Sequence, residues 1–289
     1  MQKSEARQAA AWVRGARRPA SAARQAENFP VASFLLPRHL RPSVLAFYDV
    51  VRAADDMADD PALSRETKHA RLNQIEGALA GTEAWPPATA LCLALDQAGH
   101  PPAMRHATDM LVAFRADVEG QACRDWNDLQ TYCRHSAVPV GRFLLELHGE
   151  PDAPHAASDA LCSALQVLNH LQDLRTDWMD LGRVYLPLDW IEAEGASPDD
   201  LGRSQLTPPL RRAIDRTLDA TDEDLARAAA LPRLIRSRRL AAEATVILSL
   251  ARHLSARLRR EDPVAGRVSA TRGALLRAGT AGLSRLATP

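Results

Sequence analysis

Prolines divide this chain into segments with the period of a helix. They fall at Pro30, Pro37, Pro42, Pro61, Pro86-Pro87, Pro101-Pro102, Pro187 and Pro208-Pro209. Proline has a fixed φ and no N–H to donate, so it suits a helix start and ends a preceding helix. Between these breaks, apolar residues recur three and four apart. The pattern predicts helices over roughly 42–60, 65–80, 88–98, 102–119, 126–148, 157–179, 188–194, 208–230 and 234–260. Composition agrees: Ala, Leu and Arg dominate, and Phe, Trp and Tyr together make only 4% of the chain. Such a mixture favours helix and disfavours a large sheet. With no internal repeat and no separating linker, the expectation is one all-α domain.

Charge excludes some functions. The 36 basic and 36 acidic residues cancel, so no net field draws the chain to nucleic acid. Nearly every basic residue is Arg, with only Lys3 and Lys68 as exceptions. An excess spread so evenly reads as genome composition rather than a binding site. Cys92, Cys123, Cys133 and Cys162 show no CxxC spacing and read as reduced core residues. No signal peptide is evident, and no segment approaches the roughly 18 apolar residues of a membrane span. The expected location is the cytoplasm.

The two ends differ from the middle. Residues 1–25 are basic, with Glu5 the sole acid before residue 26, and eight arginines lie between Arg252 and Arg285. The chain therefore reads as a basic segment over 1–25, a catalytic domain over 26–262 and a basic tail over 263–289. The ends are either solvated and frayed or in contact with anionic headgroups, where each basic residue contributes on the order of 1 kcal/mol.

Two acidic clusters carry the chemistry. In the first, Asp55 and Asp59 stack one helical turn apart, as do Asp56 and Asp60, with Arg52 one turn earlier. Like charges at this spacing repel. They also sit just before Pro61, at the helix end where the macrodipole disfavours anions. A bound cation would remove the penalty, and an oxygen-only donor set suits Mg²⁺ better than zinc. The alternative is an acidic, solvated helix end.

The second cluster lies about a hundred residues on. Asn169, Asp173 and Asp177 are spaced i, i+4, i+8 and fall within an arc of about 80° that also holds Gln166. Leu165 borders the arc on one side and Val167 and Leu174 on the other. A polar stripe with apolar borders suggests a helix facing an internal cavity. Carboxylates there must hold metal or pair with cations; an open solvated face is the alternative. If the two clusters face each other, they form a cage for Mg²⁺ bound to a phosphate-bearing ligand. The following Gly182-Arg183-Val184-Tyr185-Leu186-Pro187 supplies a natural phosphate clamp in Arg183 and a hydroxyl in Tyr185.

This pair of motifs, Asp55-Asp56-x-x-Asp59 after Arg52 and Asn169-x-x-x-Asp173-x-x-x-Asp177 before Gly182-Arg183-x-Tyr185-Leu186-Pro187, resembles the squalene/phytoene synthase family. The resemblance covers roughly 26–260, and Tyr132-Cys133 with Val138-Pro139-Val140-Gly141 fits the family's middle helix. The string from Glu27 to Ser33, followed by Leu35-Leu36-Pro37, is similar to the hydroxysqualene-forming branch. Condensing members carry a His-Ser-Lys-Ser-Phe-like string there.

The resemblance implies a class I terpenoid synthase helical bundle with a central hydrophobic cavity. It implies conversion of presqualene diphosphate and water to hydroxysqualene and diphosphate. The implied metal ligands are Asp55, Asp59, Asn169, Asp173 and Asp177, with Asp56 either direct or behind them. They would hold Mg²⁺, three ions with bound diphosphate, and no NADPH is expected. Arg52, Gln166, Arg183 and Tyr185 would bind the diphosphate, Tyr48 or Tyr132 would face the developing cation, and Arg52 and Tyr185 would also be catalytic. Glu27 and Asn28 are candidates for positioning water.

The implied partners are the isoprenoid diphosphate, the inner-membrane surface and the other enzymes of squalene formation. The alternative within the family is a condensing synthase acting on two farnesyl diphosphates. A non-catalytic lipid-binding relative would be free to lose its acids. A di-iron bundle would need Glu-x-x-His pairs, which neither cluster contains.

Overall fold

The computed structural model describes residues 35–287. Glu27, Asn28, the string to Ser33 and the basic segment 1–25 lie outside the described residues. Within them every regular element is helical. The chain divides into two compact units at Glu119–Gly120, a boundary that no Pro- or Gly-rich linker marks.

Among the described residues the first unit holds four α-helices: α1 (Arg41–Ala58), α2 (Arg65–Leu79), α3 (Pro86–Ala98) and α4 (Arg105–Glu119). Pro42 lies in the first turn of α1, where its missing N–H costs nothing. Val44, Phe47, Val50, Ala54 and Met57 form the buried stripe of α1 and pack against α3 and α4. Ser43 is fully buried, and its hydroxyl donates to the Ala94 carbonyl of α3 at 3.0 Å. Pro61 follows α1 directly. Ser64 then caps α2 by accepting from the Thr67 amide at 3.3 Å.

The second unit is built on α7 (His155–Thr176), the longest helix at 22 residues. Around it pack α5 (Trp126–Ser136), α6 (Val138–Leu147), α9 (Pro208–Ala228) and α11 (Arg238–Leu258), while α8 (Leu188–Ala193) and α10 (Leu231–Leu234) are short connectors. The continuous helix expected over 126–148 is broken at Ala137, which adopts φ −127°. Pro139 cannot donate to the preceding turn, so it opens α6 instead of continuing α5. The helix expected over 234–260 divides likewise, with Ser237 capping α11. Within the basic tail, residues Arg272–Ala287 form α12, packed along α11.

Phe143 on α6 is the largest fully buried side chain. Phe143→Ala should destabilise the protein by about 3–5 kcal/mol, because the lost transfer energy and the new cavity add. Chemical denaturation followed by circular dichroism measures this.

Candidate functional site

The first acidic cluster occupies the last turns of α1, and its geometry follows the spacing. Arg52 donates to Asp55 at 3.1 Å and pairs with Asp56 at 2.7 Å, the i+3 and i+4 partners of one helix face. Tyr48, one turn earlier, is half-buried, and Asp59 stands at the C-cap with its amide bonded to the Asp55 carbonyl.

Burial, then repulsion from Asp59, pushes the Asp55 carboxyl up to about 8, with Arg52 opposing and Asp117 and Asp56 adding. About a third of the Asp55 side chain nevertheless remains exposed (34%). It is a crowded group at the edge of the unit, open to a ligand. Asp117, on α4, was not among the sequence candidates. It sits beside Phe114 and Val118 on the buried face of its helix, and a carboxylate on that stripe was the available signal.

The second cluster lies at the C-terminal end of α7. Asn169, Asp173 and Asp177 are half-buried, Val167 and Leu174 are buried and Leu165 is half-buried, which matches the bordered stripe. The α-helix stops at Thr176, and Asp177–Leu181 form one π turn, a widening often found at functional sites. Gly182 takes φ +65° after it, a left-handed conformation that glycine adopts without steric cost. The Arg183 amide bonds back to the Asp177 carbonyl at 3.2 Å. The chain then runs out so that Arg183 donates to the Tyr185 hydroxyl at 3.4 Å.

Tyr185 is buried (7%) and stacks on His170, with ring centroids 3.7 Å apart and planes 15° apart. Tyr132, from α5, leans against both rings, at 5.2 Å from Tyr185 and 5.6 Å from His170. Two of the three tyrosines singled out in the sequence, Tyr132 and Tyr185, are thus brought together. His170, the third ring of the cluster, escaped sequence reading because its position looks like an ordinary core site of α7. Gln166 lies 3.1 Å from its Nε2, and its Nδ1 faces Asp177 at 4.0 Å. Burial, then the Arg183 charge, pushes His170 down to about 3, so the imidazole is neutral throughout the physiological range. Its stability linkage follows. The unfolded chain binds the proton between pH 6.5 and about 3, so His170 weakens the fold as pH falls through that window.

Asp173 pairs with Arg267 at 3.2 Å. Burial raises its carboxyl, and Arg267 opposes the rise. Arg267 lies in the loop between α11 and α12, and sequence spacing gave no sign of it.

Among the described residues no three His, Cys, Asp or Glu side chains converge to hold an ion by themselves. Mg²⁺ usually takes one or two carboxylates and completes its shell with water and substrate phosphate. The donor set fits such an ion: all oxygen, half-buried, and in Asp55 crowded by neighbouring carboxylates.

Residues 22–274 match the squalene/phytoene synthase family model. Hydroxysqualene synthases of Rhodopseudomonas palustris and Zymomonas mobilis are 44% and 42% identical over 244 and 245 residues. Each alignment spans 84% of this chain and 82% of the relative. The crystal structure of squalene synthase HpnC from Alicyclobacillus acidocaldarius superposes with a TM-score of 0.70 at 34% identity. It covers 80% of this chain and 87% of that one.

Proposed function

The chain belongs to the squalene/phytoene synthase family, and from that premise we propose that it is an enzyme converting presqualene diphosphate and water to hydroxysqualene and diphosphate. The single observation that carries the reading is the 42–44% identity to relatives named for that product.

Asp55, Asp56 and Asp59 of the first unit and Asn169, Asp173 and Asp177 of the second are the metal ligands in this reading, for three Mg²⁺ ions. When bound, the ions supply Lewis-acid stabilisation of the departing diphosphate. Arg52 and Arg183 neutralise its remaining charge, and the Gln166 amide and Tyr185 hydroxyl orient its oxygens.

The C–O bond breaks with its electron pair leaving on diphosphate, and the cyclopropylcarbinyl cation rearranges. Tyr48 from the first unit, and Tyr132 and Tyr185 from the second, offer π-faces to positive charge. The neutral His170 behind Tyr185 adds none of its own. Water then forms the new C–O bond and releases a proton. No hydride enters the balance, so NADPH is not required. The enzyme works in the cytoplasm, in peripheral contact with the inner membrane and with the other enzymes of squalene formation.

A second reading has support in the relative titled squalene synthase, namely condensation of two farnesyl diphosphates. Purified protein with Mg²⁺ should be offered presqualene diphosphate and farnesyl diphosphate separately, each with and without NADPH. Hydroxysqualene from presqualene diphosphate without NADPH is the expected product. Presqualene diphosphate, squalene or dehydrosqualene made from farnesyl diphosphate would move the chain to the condensing branch.

A further inference from the structure

The helix α12 is packed inside out. A surface helix normally buries its large apolar side chains and exposes small or polar ones. Here Ala274 (4% exposed), Ala278 (0%) and Gly282 lie one turn apart on one face and form the buried seam. The approach to α11 is close: a Cβ at Gly282 would stand 2.6 Å from Val246 Cγ2 and 3.2 Å from the Ala242 carbonyl oxygen.

Three leucines are left outside. Leu275, Leu276 and Leu283 are 48%, 73% and 55% exposed. Leu276 and Leu283 are seven residues apart, within about 20° of one another around the axis. A single exposed leucine needs no explanation. Three on one 16-residue helix, whose buried seam is made of Ala274, Ala278 and Gly282, form a surface built for contact.

Charge identifies the contact. Arg272 and Arg277 are exposed on the same helix, and residues 263–289 contain four arginines and no Asp or Glu. Two copies of this chain meeting through this face would bring arginine against arginine. An anionic lipid surface meets both requirements, apolar depth for the leucines and negative charge for the arginines. No helix among the described residues is long and apolar enough to cross a membrane, and α12 suits lying in the interface.

We propose that α12 is a membrane-docking helix, with Leu275, Leu276 and Leu283 entering the headgroup boundary and Arg272 and Arg277 pairing with anionic lipid. The proposal deepens the functional reading and rests on it for its purpose, since both substrate and product of that reaction are lipids. Its test does not depend on that reading.

The protein should be sedimented with vesicles of phosphatidylcholine plus phosphatidylglycerol, and with phosphatidylcholine alone, at physiological salt. Binding to the anionic vesicles is expected. Leu276→Ser/Leu283→Ser should weaken it by about tenfold or more, and Arg272→Gln/Arg277→Gln by about tenfold. Both double variants should keep the wild-type circular dichroism and the wild-type turnover of presqualene diphosphate in detergent.

Absence of binding to anionic vesicles would overturn the proposal. So would unchanged binding by the leucine variant. A dimer in sedimentation equilibrium that the leucine variant dissociates would also overturn it, by giving the face to a second copy. Loss of turnover in detergent by every form, with vesicle binding intact, would instead overturn the functional reading and leave the docking surface standing.

Discussion

Asp173→Asn is expected to lower turnover of presqualene diphosphate by at least about a thousandfold, since Lewis-acid stabilisation of a leaving group contributes several kcal/mol and each 1.4 kcal/mol is tenfold. Asn is nearly isosteric and still accepts from Arg267, now 3.2 Å from the carboxylate, so the thermal melt should stay near that of wild type. Asp55→Asn should lower turnover similarly, with a more telling effect on stability. The folded state holds a proton on Asp55 up to about pH 8, whereas the unfolded chain releases it near 3.8. The ionised carboxylate therefore weakens the fold increasingly as pH rises through that window. At pH 7 without metal, Asp55→Asn should melt no lower than wild type. Mg²⁺ with diphosphate should raise the melting temperature of wild type and not that of the variant. A variant that unfolds would make the carboxylate structural. A variant that retains turnover would remove the metal assignment.

Arg183→Met should reduce kcat/KM by about a hundredfold to a thousandfold, the range seen when one fixed donor to developing negative charge is removed. Met keeps much of the side-chain length but cannot pair with phosphate. A second readout separates charge from shape. Arg183 is the secondary cause of the lowered His170 basicity and burial is the first. The imidazole should therefore titrate at higher pH in the variant, yet remain below its ordinary value. Proton NMR of His170 would follow this. Turnover within tenfold of wild type would exclude Arg183 from the diphosphate site.

Most helices were legible because periodicity and proline act locally. Each acidic cluster was legible for the same reason: Arg52 with Asp55 and Asp56, and the stripe from Gln166 to Asp177, lie on single helices where spacing dictates proximity. The break at Ala137 was harder, because its cause, Pro139, sits two residues away inside a run that looks continuous. The groups that escaped notice come from other elements. Asp117 approaches the first cluster from α4, and Arg267 reaches Asp173 across about ninety residues of chain. His170 reads as core until Tyr132 and Tyr185 are placed against it. Helix α12 was missed altogether: 263–289 read as a basic tail, because its buried face is made of small residues rather than a large apolar stripe.

The π turn at Asp177–Leu181 has a consequence for what changes this chain tolerates. It accommodates one more residue than an α turn would, and everything after it is phased by that surplus. Substitutions at the exposed Met179 or Asp180 leave the count intact. Inserting a further residue there, where the turn has already absorbed its surplus, would rotate all that follows by about 100°. Arg183 and Tyr185 would leave the His170 ring although neither had been altered. The segment therefore accepts new side chains far more readily than added length.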